Sequence, residues 1–297
     1  MSNFITWRTN CNLMADMSFL ISELNRATLE IGILGGYDHK SVVADYKLRR
    51  TEMLQSDTVS VKSTRTSGDT ITAKQYKIAK HKFSGVMTES GTLSTPSMSE
   101  LADALRQSYQ NETTNAILLT LSTGGGTSTA AGILSEAIDE ANDYNKLIIV
   151  HTPYLASAGI YASVGAHLVV ANDPIVNIGS VGVMQEYSKK IIDQMRGDWL
   201  PIISKTSPRK LEELTSLIFD NNDEMIQDSI MKIDSIFKTR VKSKRLDIAA
   251  TTVNDAAMEG QMFTAREAEA AGLIDGIATE RELIYKVIPK MLDEIYN

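Results

Sequence analysis

Ala116-Ile117-Leu118-Leu119-Thr120-Leu121-Ser122-Thr123-Gly124-Gly125-Gly126-Thr127 is an apolar run that stops on a glycine-rich loop. The run has little polar alternation, which is how a strand buried on both faces reads. Past the loop, Ala130, Ile133, Leu134, Ala137, Ile138 and Ala141 recur at i, i+3, i+4, i+7, i+8 and i+11, one face of an amphipathic helix. Strand, glycine loop and helix in that order are βαβ grammar, which predicts an α/β fold with right-handed crossovers.

The pattern repeats on both sides. Strand-like stretches are expected at Phe83 to Met87, Lys146 to His151, His167 to Ala171, Gly182 to Met184 and Leu200 to Ile203. Ser97 or Ser99, with Glu100 close behind, is a plausible N-cap for a helix running to about Tyr109. Ile226, Ile230, Ile233, Phe237 and Val241 predict one long helix over roughly 222–246. Lys232, Lys238, Arg240, Lys242, Lys244 and Arg245 on its other face read as a solvated surface, or as a patch for an acidic partner. The first 80 residues differ in character: a helix is expected from Met17 to Leu34, broken by Gly35-Gly36, and a weak hairpin or exposed arm from Ser56 to Thr72. The organisation expected is an accessory extension over 1–80, an α/β body over 81–280 and a C-terminal helix over 281–297.

Composition narrows the function. With 297 residues, 43% hydrophobic and 23% charged, the chain is an ordinary globular one, neither disordered nor collagenous nor repetitive. A single cysteine, Cys11, rules out an intramolecular disulfide and a cysteine-rich zinc module. The four histidines, His39, His81, His151 and His167, are too few and too scattered for a His-rich metal site or an HExxH helix. Residues 1–80 hold 11 basic and 8 acidic residues, net +3, while the rest hold 19 and 29, net -10. That balance argues against a nucleic-acid-binding core, although the basic front end could touch an acidic partner. Arg8 and Asp16 interrupt what a signal peptide would need, and no stretch reaches the roughly 18 apolar residues of a membrane span. A soluble, intracellular protein is therefore expected.

Three loops could carry chemistry. Ser122 to Thr127 fits neither the GxxxxGK[ST] nor the GxGxxG spacing, so a nucleotide loop is not expected. It does offer backbone N–H groups at a helix start, where an oxyanion is stabilised; the alternative is a tight turn needing positive φ. Leu155-Ala156-Ser157-Ala158-Gly159-Ile160-Tyr161-Ala162-Ser163 surrounds a serine with small residues directly after a strand. Gly179-Ser180-Val181-Gly182-Val183 alone is a turn into a strand.

Together and in this order, the three resemble the signal peptide peptidase A family of serine peptidases, which includes capsid-assembly proteases of tailed phages. Ser122-Thr123-Gly124-Gly125 stands for the family's Ser-Pro-Gly-Gly, Ala156-Ser157-Ala158-Gly159-Ile160-Tyr161 for Ala-Ser-Gly-Gly-Tyr, and Gly179-Ser180-Val181-Gly182-Val183 for Gly-Ser-Ile-Gly-Val. Gly260-Gln261-Met262-Phe263-Thr264-Ala265 and Ala271-Gly272-Leu273-Ile274-Asp275 match the closing motifs, so the resemblance covers about residues 83–278. It implies a ClpP/crotonase-like spiral of β-β-α units and a Ser-Lys dyad, with Ser157 as nucleophile and a need for neither metal nor cofactor. The family's lysine segment falls on Thr206-Ser207-Pro208-Arg209-Lys210, a loose match that makes Lys210 the expected base and keeps Lys205 in play. Thr123 replaces the family's proline. A free lysine has a pKa of about 10.4, so burial must lower it before it accepts a proton. Gly124, Gly125 and Ala158 are the expected oxyanion and substrate-binding positions, with the Gly125 N–H as the first donor and that of Ala158 or of Ser157 itself as the second.

Three other readings compete with this one. A ClpP-type triad needs a histidine about 25 residues beyond the serine, whereas His167 follows Ser157 by only ten and reads as bordering the sheet. A crotonase-type acyl-CoA enzyme leaves the Ser157 loop unexplained. A catalytically silent assembly protein would account for the imperfect lysine segment. The expectation is a cytoplasmic homo-oligomeric endopeptidase acting on protein or peptide, with a capsid or scaffold protein in a phage-infected host or virion precursor as the expected substrate. A cytosolic bacterial peptidase is the alternative.

Overall fold

The structure is a computed structural model and describes residues 39–67, 70–248 and 253–296. The helix expected from Met17 to Leu34 lies outside them. The described residues fall into two compact units, one within Met1–Val181 and Arg240–Asn297, the other Gly182–Thr239.

The first unit is built on β1 (Asp57–Ser67), β2 (Thr70–Ser84), β3 (Ala116–Thr123), β4 (Leu147–Ala156), β5 (Leu168–Ala171), β6 (Asn177–Gly179), β7 (Met262–Thr264) and β8 (Gly276–Ile277). The helices in chain order are α1 (His39–Leu54), α2 (Met98–Gln110), α3 (Ser128–Asp143), α4 (Ala158–Ser163), α5 (Lys189–Asp198), α6 (Glu212–Thr215), α7 (Glu224–Ile248), α8 (Ala265–Ala270), α9 (Glu280–Glu282) and α10 (Ile288–Ile295). The expected α/β class holds: the sheet order is β1-β2-β3-β4-β5-β8, and β2, β3, β4, β5 and β8 run parallel. The runs expected at 116–121, 146–151 and 167–171 fall on β3, β4 and β5, with Ile117, Leu118, Leu119 and Leu121 of β3 inaccessible to solvent, whereas the strand expected at Phe83 to Met87 is only the end of β2, which starts at Thr70 and stops at Ser84.

One relationship in the sheet matters for function. β4 pairs with β5 over Ile149–Thr152, but its last residues, Leu155 and Ala156, pair with Ile178 and Gly179 of β6. β7 then adds antiparallel to β6, with Ile178 opposite Phe263. The sheet therefore splits beyond β4 and leaves the end of that strand between two short ones.

One sheet face packs Val61, Tyr76, Ile78, Leu118, Ile149 and Val170 against Leu283, Ile284, Ile288 and Leu292 of the expected C-terminal helix. Burying each such side chain stabilises the fold by about 1.5–3 kcal/mol. Tyr76 Oη donates to Asp293 at 2.7 Å, and Ser63 Oγ donates to the same carboxylate, tying that helix to the hairpin. α2 starts as expected on Ser97, whose Oγ accepts from Glu100 N–H at 3.1 Å while Glu100 accepts from Ser97 N–H at 2.8 Å.

The structure departs from the sequence reading at other points as well. Of the two readings of Ser56 to Thr72 the hairpin holds and the exposed arm does not: β1 pairs with β2 from Asp57↔Lys80 to Ser67↔Thr70, and the boundary expected at 80 falls inside β2. Burial of Val61, Tyr76 and Ile78 explains why this hairpin is part of the sheet. Gly182–Met184 and Leu200–Ile203 are not strands. Short apolar runs need a partner to pair with, and Pro201 lacks the N–H a ladder requires. On α7, Ile226, Phe237 and Val241 are buried, but Ile233 is 41% exposed. On its cationic side Arg245 is fully buried, with Nη1 and Nη2 on the Asp275 carboxylate at 3.0 and 2.7 Å and Nε on Gly272 O at 3.1 Å.

The second unit holds α5, α6, a π-helical turn over Ser216–Asp220 and the first part of α7. Arg196 Nε donates to Ile218 O at 2.7 Å, Trp199 stacks on Phe219 at 6.1 Å, and Ser229 Oγ donates to Glu213 at 2.6 Å. Among the described residues, no helix is long and apolar enough to cross a membrane.

Candidate active site

Thr123 closes β3 and its buried hydroxyl organises the glycine loop. Its Oγ1 accepts from Gly125 N–H at 3.0 Å and donates back to Gly125 O at 3.2 Å. Gly125 O also accepts from Met87 N–H at 2.9 Å. Gly125 has φ +109°, a region closed to residues with a Cβ. Thr127 then caps α3, its Oγ1 accepting from Ala130 N–H at 3.1 Å and donating to Glu89 at 2.9 Å. The threonine in place of the family's proline is thus the hydrogen-bonding centre of the loop. A consequence is that the Gly125 N–H, expected as an oxyanion donor, is already engaged by Thr123.

Ser157 follows β4 and precedes α4. Its φ of 51° and ψ of -121° are strained for a residue with a side chain, at a cost of about 1–3 kcal/mol that its surroundings must offset. The surroundings are specific: Ser157 N–H donates to Gly179 O at 3.1 Å, and Ser157 O accepts from Ile160 and Tyr161 N–H at 2.9 and 3.2 Å. The hydroxyl is half-buried on a residue facing Gly125. A Cβ placed on Gly125 would sit 2.8 Å from Ser157 Cβ, 3.2 Å from its Oγ and 3.1 Å from Ala158 N. The absent methyl therefore leaves open the space in front of both the hydroxyl and the Ala158 N–H. That N–H, at the first position of α4, has no intrahelical acceptor. Gly124 is exposed beside Tyr154, whose ring is 3.6 Å from where a Gly124 Cβ would lie.

The small residues around Ser157 have a packing reason. A Cβ on Gly159 would approach Thr123 Cγ2 to 2.5 Å, so α4 is pressed against the end of β3. The later motifs close the far side: a Cβ on Gly179 would overlap Gln261 O, and Ser180 N–H donates to that carbonyl at 2.7 Å. All four motifs, nearly 150 residues apart in the chain, are joined by direct contacts.

Against this arrangement stands the match of residues 140–290 to the model of peptidase family S49. The chain belongs to peptidase family S49. Membership carries the ClpP-like fold class expected from the sequence and makes the chain a serine peptidase by family. No curated protein matches it. Among solved structures it is similar to a serine-to-alanine mutant of the 1510-N membrane-bound stomatin-specific protease, at 20% identity over 70% of this chain and 81% of that one, TM-score 0.44. A lysine-to-alanine mutant of that protease in complex with a substrate peptide gives 20% over 70% and 77%, TM-score 0.43. A mutant of ClpP1 from Listeria monocytogenes gives 12% over 68% and 92%, TM-score 0.41.

The candidate bases of this S49 chain belong to the second unit. Lys210 is exposed in the turn before α6, its N–H donating to Ser207 O at 3.1 Å, and Arg209 beside it pairs with Glu212 at 2.7 Å. Lys205 is exposed in the preceding turn, where Ser204 and Thr206 hydroxyls meet at 2.9 Å.

Three histidines, His81, His151 and His167, are buried or half-buried in the sheet body. His167 Nδ1 accepts from Ile148 N–H at 3.2 Å, bordering the sheet as expected. His151 Nε2 lies 3.0 Å from Ala278 O, and burial holds both imidazoles below their usual pKa. His81 Nε2 lies 2.8 Å from Ser108 Oγ, and burial pushes its pKa down to about 4. A cavity of about 250 Å³ beside that pair is lined by Ser56, Thr58, His81, Gln107, Ser108 and Thr114 and includes none of the motif residues.

Two inward-turned cations, one of them Arg240 against the helix after Ser157, escape a reading of the sequence. Arg240 and Arg245 share the polar side of α7 with lysines, and nothing local distinguishes a cation that turns inward; only the distant carboxylates Asp139 and Asp275 do.

Proposed function

We propose that this S49 peptidase is an endopeptidase in which Ser157 is the nucleophile and Lys210 the general base. The observation that carries the reading is the strained, half-buried Ser157 facing a glycine whose missing side chain leaves room for a scissile peptide. Neutral Lys210 accepts the Ser157 proton as Oγ attacks the carbonyl carbon. The Ala158 N–H donates to the resulting oxyanion. Collapse expels the amine, which takes the proton back from Lys210, and leaves an acyl ester on Ser157. Water then attacks that ester with Lys210 again as base, freeing the acid. The Lys210 side chain is exposed, so in this reading bound substrate must cover it before it serves as base. Gly124 and Gly125 flank the substrate, with Gly125 acting by the space it leaves.

The substrate class we propose is a capsid or scaffold protein during phage assembly, in the host cytoplasm or a virion precursor, on the strength of the motif resemblance. A homo-oligomer is supported by Leu200 and Ile202, which are 83% and 93% exposed. The accessory role then rests with the residues before β1. The test is hydrolysis of casein and of a capsid scaffold protein at pH 6 to 9. Wild type is active, and Ser157→Ala and Lys210→Ala are inert. Activity retained in Lys210→Ala but lost in Lys205→Ala moves the base to Lys205. Equal inertness of wild type and Ser157→Ala favours the second reading, a silent assembly protein, for which the exposed Lys210 speaks. Light scattering that returns a monomer at micromolar concentration removes the oligomer. Portal and major capsid genes next to this one support the phage setting over a cytosolic bacterial peptidase.

A further inference from the structure

We propose that Arg240 is a positioning residue for Ser157, holding from the far end the short helix that Ser157 opens; this rests on the reading of Ser157 as nucleophile. α4 has six residues, too few to hold its own geometry in water. Its first turn closes on Ser157, whose carbonyl accepts from Tyr161 N–H at 3.2 Å. At the other end, Tyr161 O would bond the N–H four residues on if the helix continued, but the chain has left the helix at Val164. Arg240 Nε fills that place at 2.9 Å. Ser157 and Arg240 are thus linked through one residue, Tyr161, whose N–H donates to the first and whose C=O, in the next peptide, accepts from the second.

Arg240 is itself tightly fixed. Nη1 and Nη2 take the two oxygens of Asp139 on α3 at 3.0 and 3.1 Å, a bidentate fork, and the guanidinium lies 5.0 Å from the Tyr161 ring centre. Its side chain is only 14% exposed. Lys244 adds a contact to Asp139 at 3.3 Å. Gly165 makes room for the pair, because a Cβ there would overlap Asp139 Oδ1 and come within 3.1 Å of Arg240 Nη2. A pair serving only to join α7 to α3 would need the two Asp139 bonds. The third bond goes instead to the helix whose first residue is the strained serine. Lysine can meet Asp139 or the Tyr161 carbonyl but lacks the planar fork that reaches both.

The experiment compares wild type, Arg240→Lys, Arg240→Gln, Asp139→Asn and Ser157→Ala as full chains. It measures kcat and KM on fluorescein-labelled casein, the rate of labelling by a fluorophosphonate with the labelled peptide identified by mass spectrometry, and the thermal midpoint. A displaced Ser157 lowers kcat about 10- to 100-fold in Arg240→Gln, the range a sub-ångström to ångström misplacement costs. KM stays within twofold, labelling slows by the same factor, and Arg240→Lys recovers part of both. Asp139→Asn, which keeps the Tyr161 bond, loses less than Arg240→Gln. If Arg240→Gln does not fold, Arg240→Lys against Asp139→Asn decides, with the larger kcat loss expected in Arg240→Lys. The inference is overturned if the Arg240 variants keep kcat and labelling within twofold of wild type, or if KM rises with kcat unchanged. Label found elsewhere than Ser157, or activity in Ser157→Ala, instead sinks the assignment of the nucleophile.

Discussion

Gly125 and Ser157 are so close that a single methyl on the glycine would lie 2.8 Å from the serine Cβ and 3.2 Å from its Oγ. Residues 32 apart in sequence thereby share one small space, bounded by the Ala158 N–H on its third side. With Ser157 as the proposed nucleophile, this is the space in which a peptide carbonyl would meet the hydroxyl.

Gly125→Ala is therefore expected to cut casein hydrolysis by about 100-fold or more, through both the closed gap and the φ of +109° an alanine resists. Far-UV circular dichroism should be unchanged and the thermal midpoint lower. Activity within twofold of wild type would show that substrate does not pass between these residues.

Thr123→Val keeps the shape and removes the hydroxyl that bonds Gly125 at both its N–H and C=O. Leaving the buried N–H unpaired should cost about 1–3 kcal/mol in urea unfolding. Thr123→Ser keeps both bonds and loses only Cγ2 against Gly159, so it should lose less. Equal losses in the two variants would assign Thr123 to packing alone.

The Arg245–Asp275 pair is buried on both sides, at 0% and 8% exposure, and Asp275 also accepts from Val169 N–H at 2.6 Å. Arg245→Met leaves that carboxylate without its cation and should destabilise by about 3–5 kcal/mol. Adding Asp275→Leu should recover part of the loss, although Val169 N–H then lacks its acceptor. A double variant less stable than Arg245→Met would contradict this account.

His81 carries a pH dependence. Burial lowers its folded pKa to about 4 from 6.5, so between those values the unfolded chain binds the extra proton. Stability from this group is complete above about pH 6.5 and is lost as pH falls toward 4, by up to about 3 kcal/mol at 1.36 kcal/mol per pH unit. His151 and His167 act in the same direction. In thermal melts from pH 4 to 7, His81→Asn should flatten the acid side of the curve; an unchanged slope would assign the acid loss to other groups.

The strands and helices nearest the site were legible because their signals are local. The apolar run of β3 and the stripe of α3 need only their own periodicity, and Ser97 with Glu100 needs only three residues' spacing. Leu200 to Ile203 misled for the same reason: a short apolar run looks like a strand whether or not another strand lies beside it, and here none does among the described residues. The hairpin of β1 and β2 was undervalued because its Ser and Thr residues conceal Val61, Tyr76 and Ile78, whose burial depends on a helix more than 200 residues away.

By itself the sequence determined the α/β order of elements and the four motifs that mark a family S49 chain, since both reside in neighbouring residues. Which groups within the motifs are free was decided only by the tertiary structure. It turned the Gly125 N–H toward Thr123, left the space before Ser157 open, and drew Arg240 and Arg245 inward from a face that reads as solvated. The reason is that a hydrogen bond or a buried charge is assigned by its partner. Asp139 and Arg240 are 101 residues apart, a relation that no local pattern encodes.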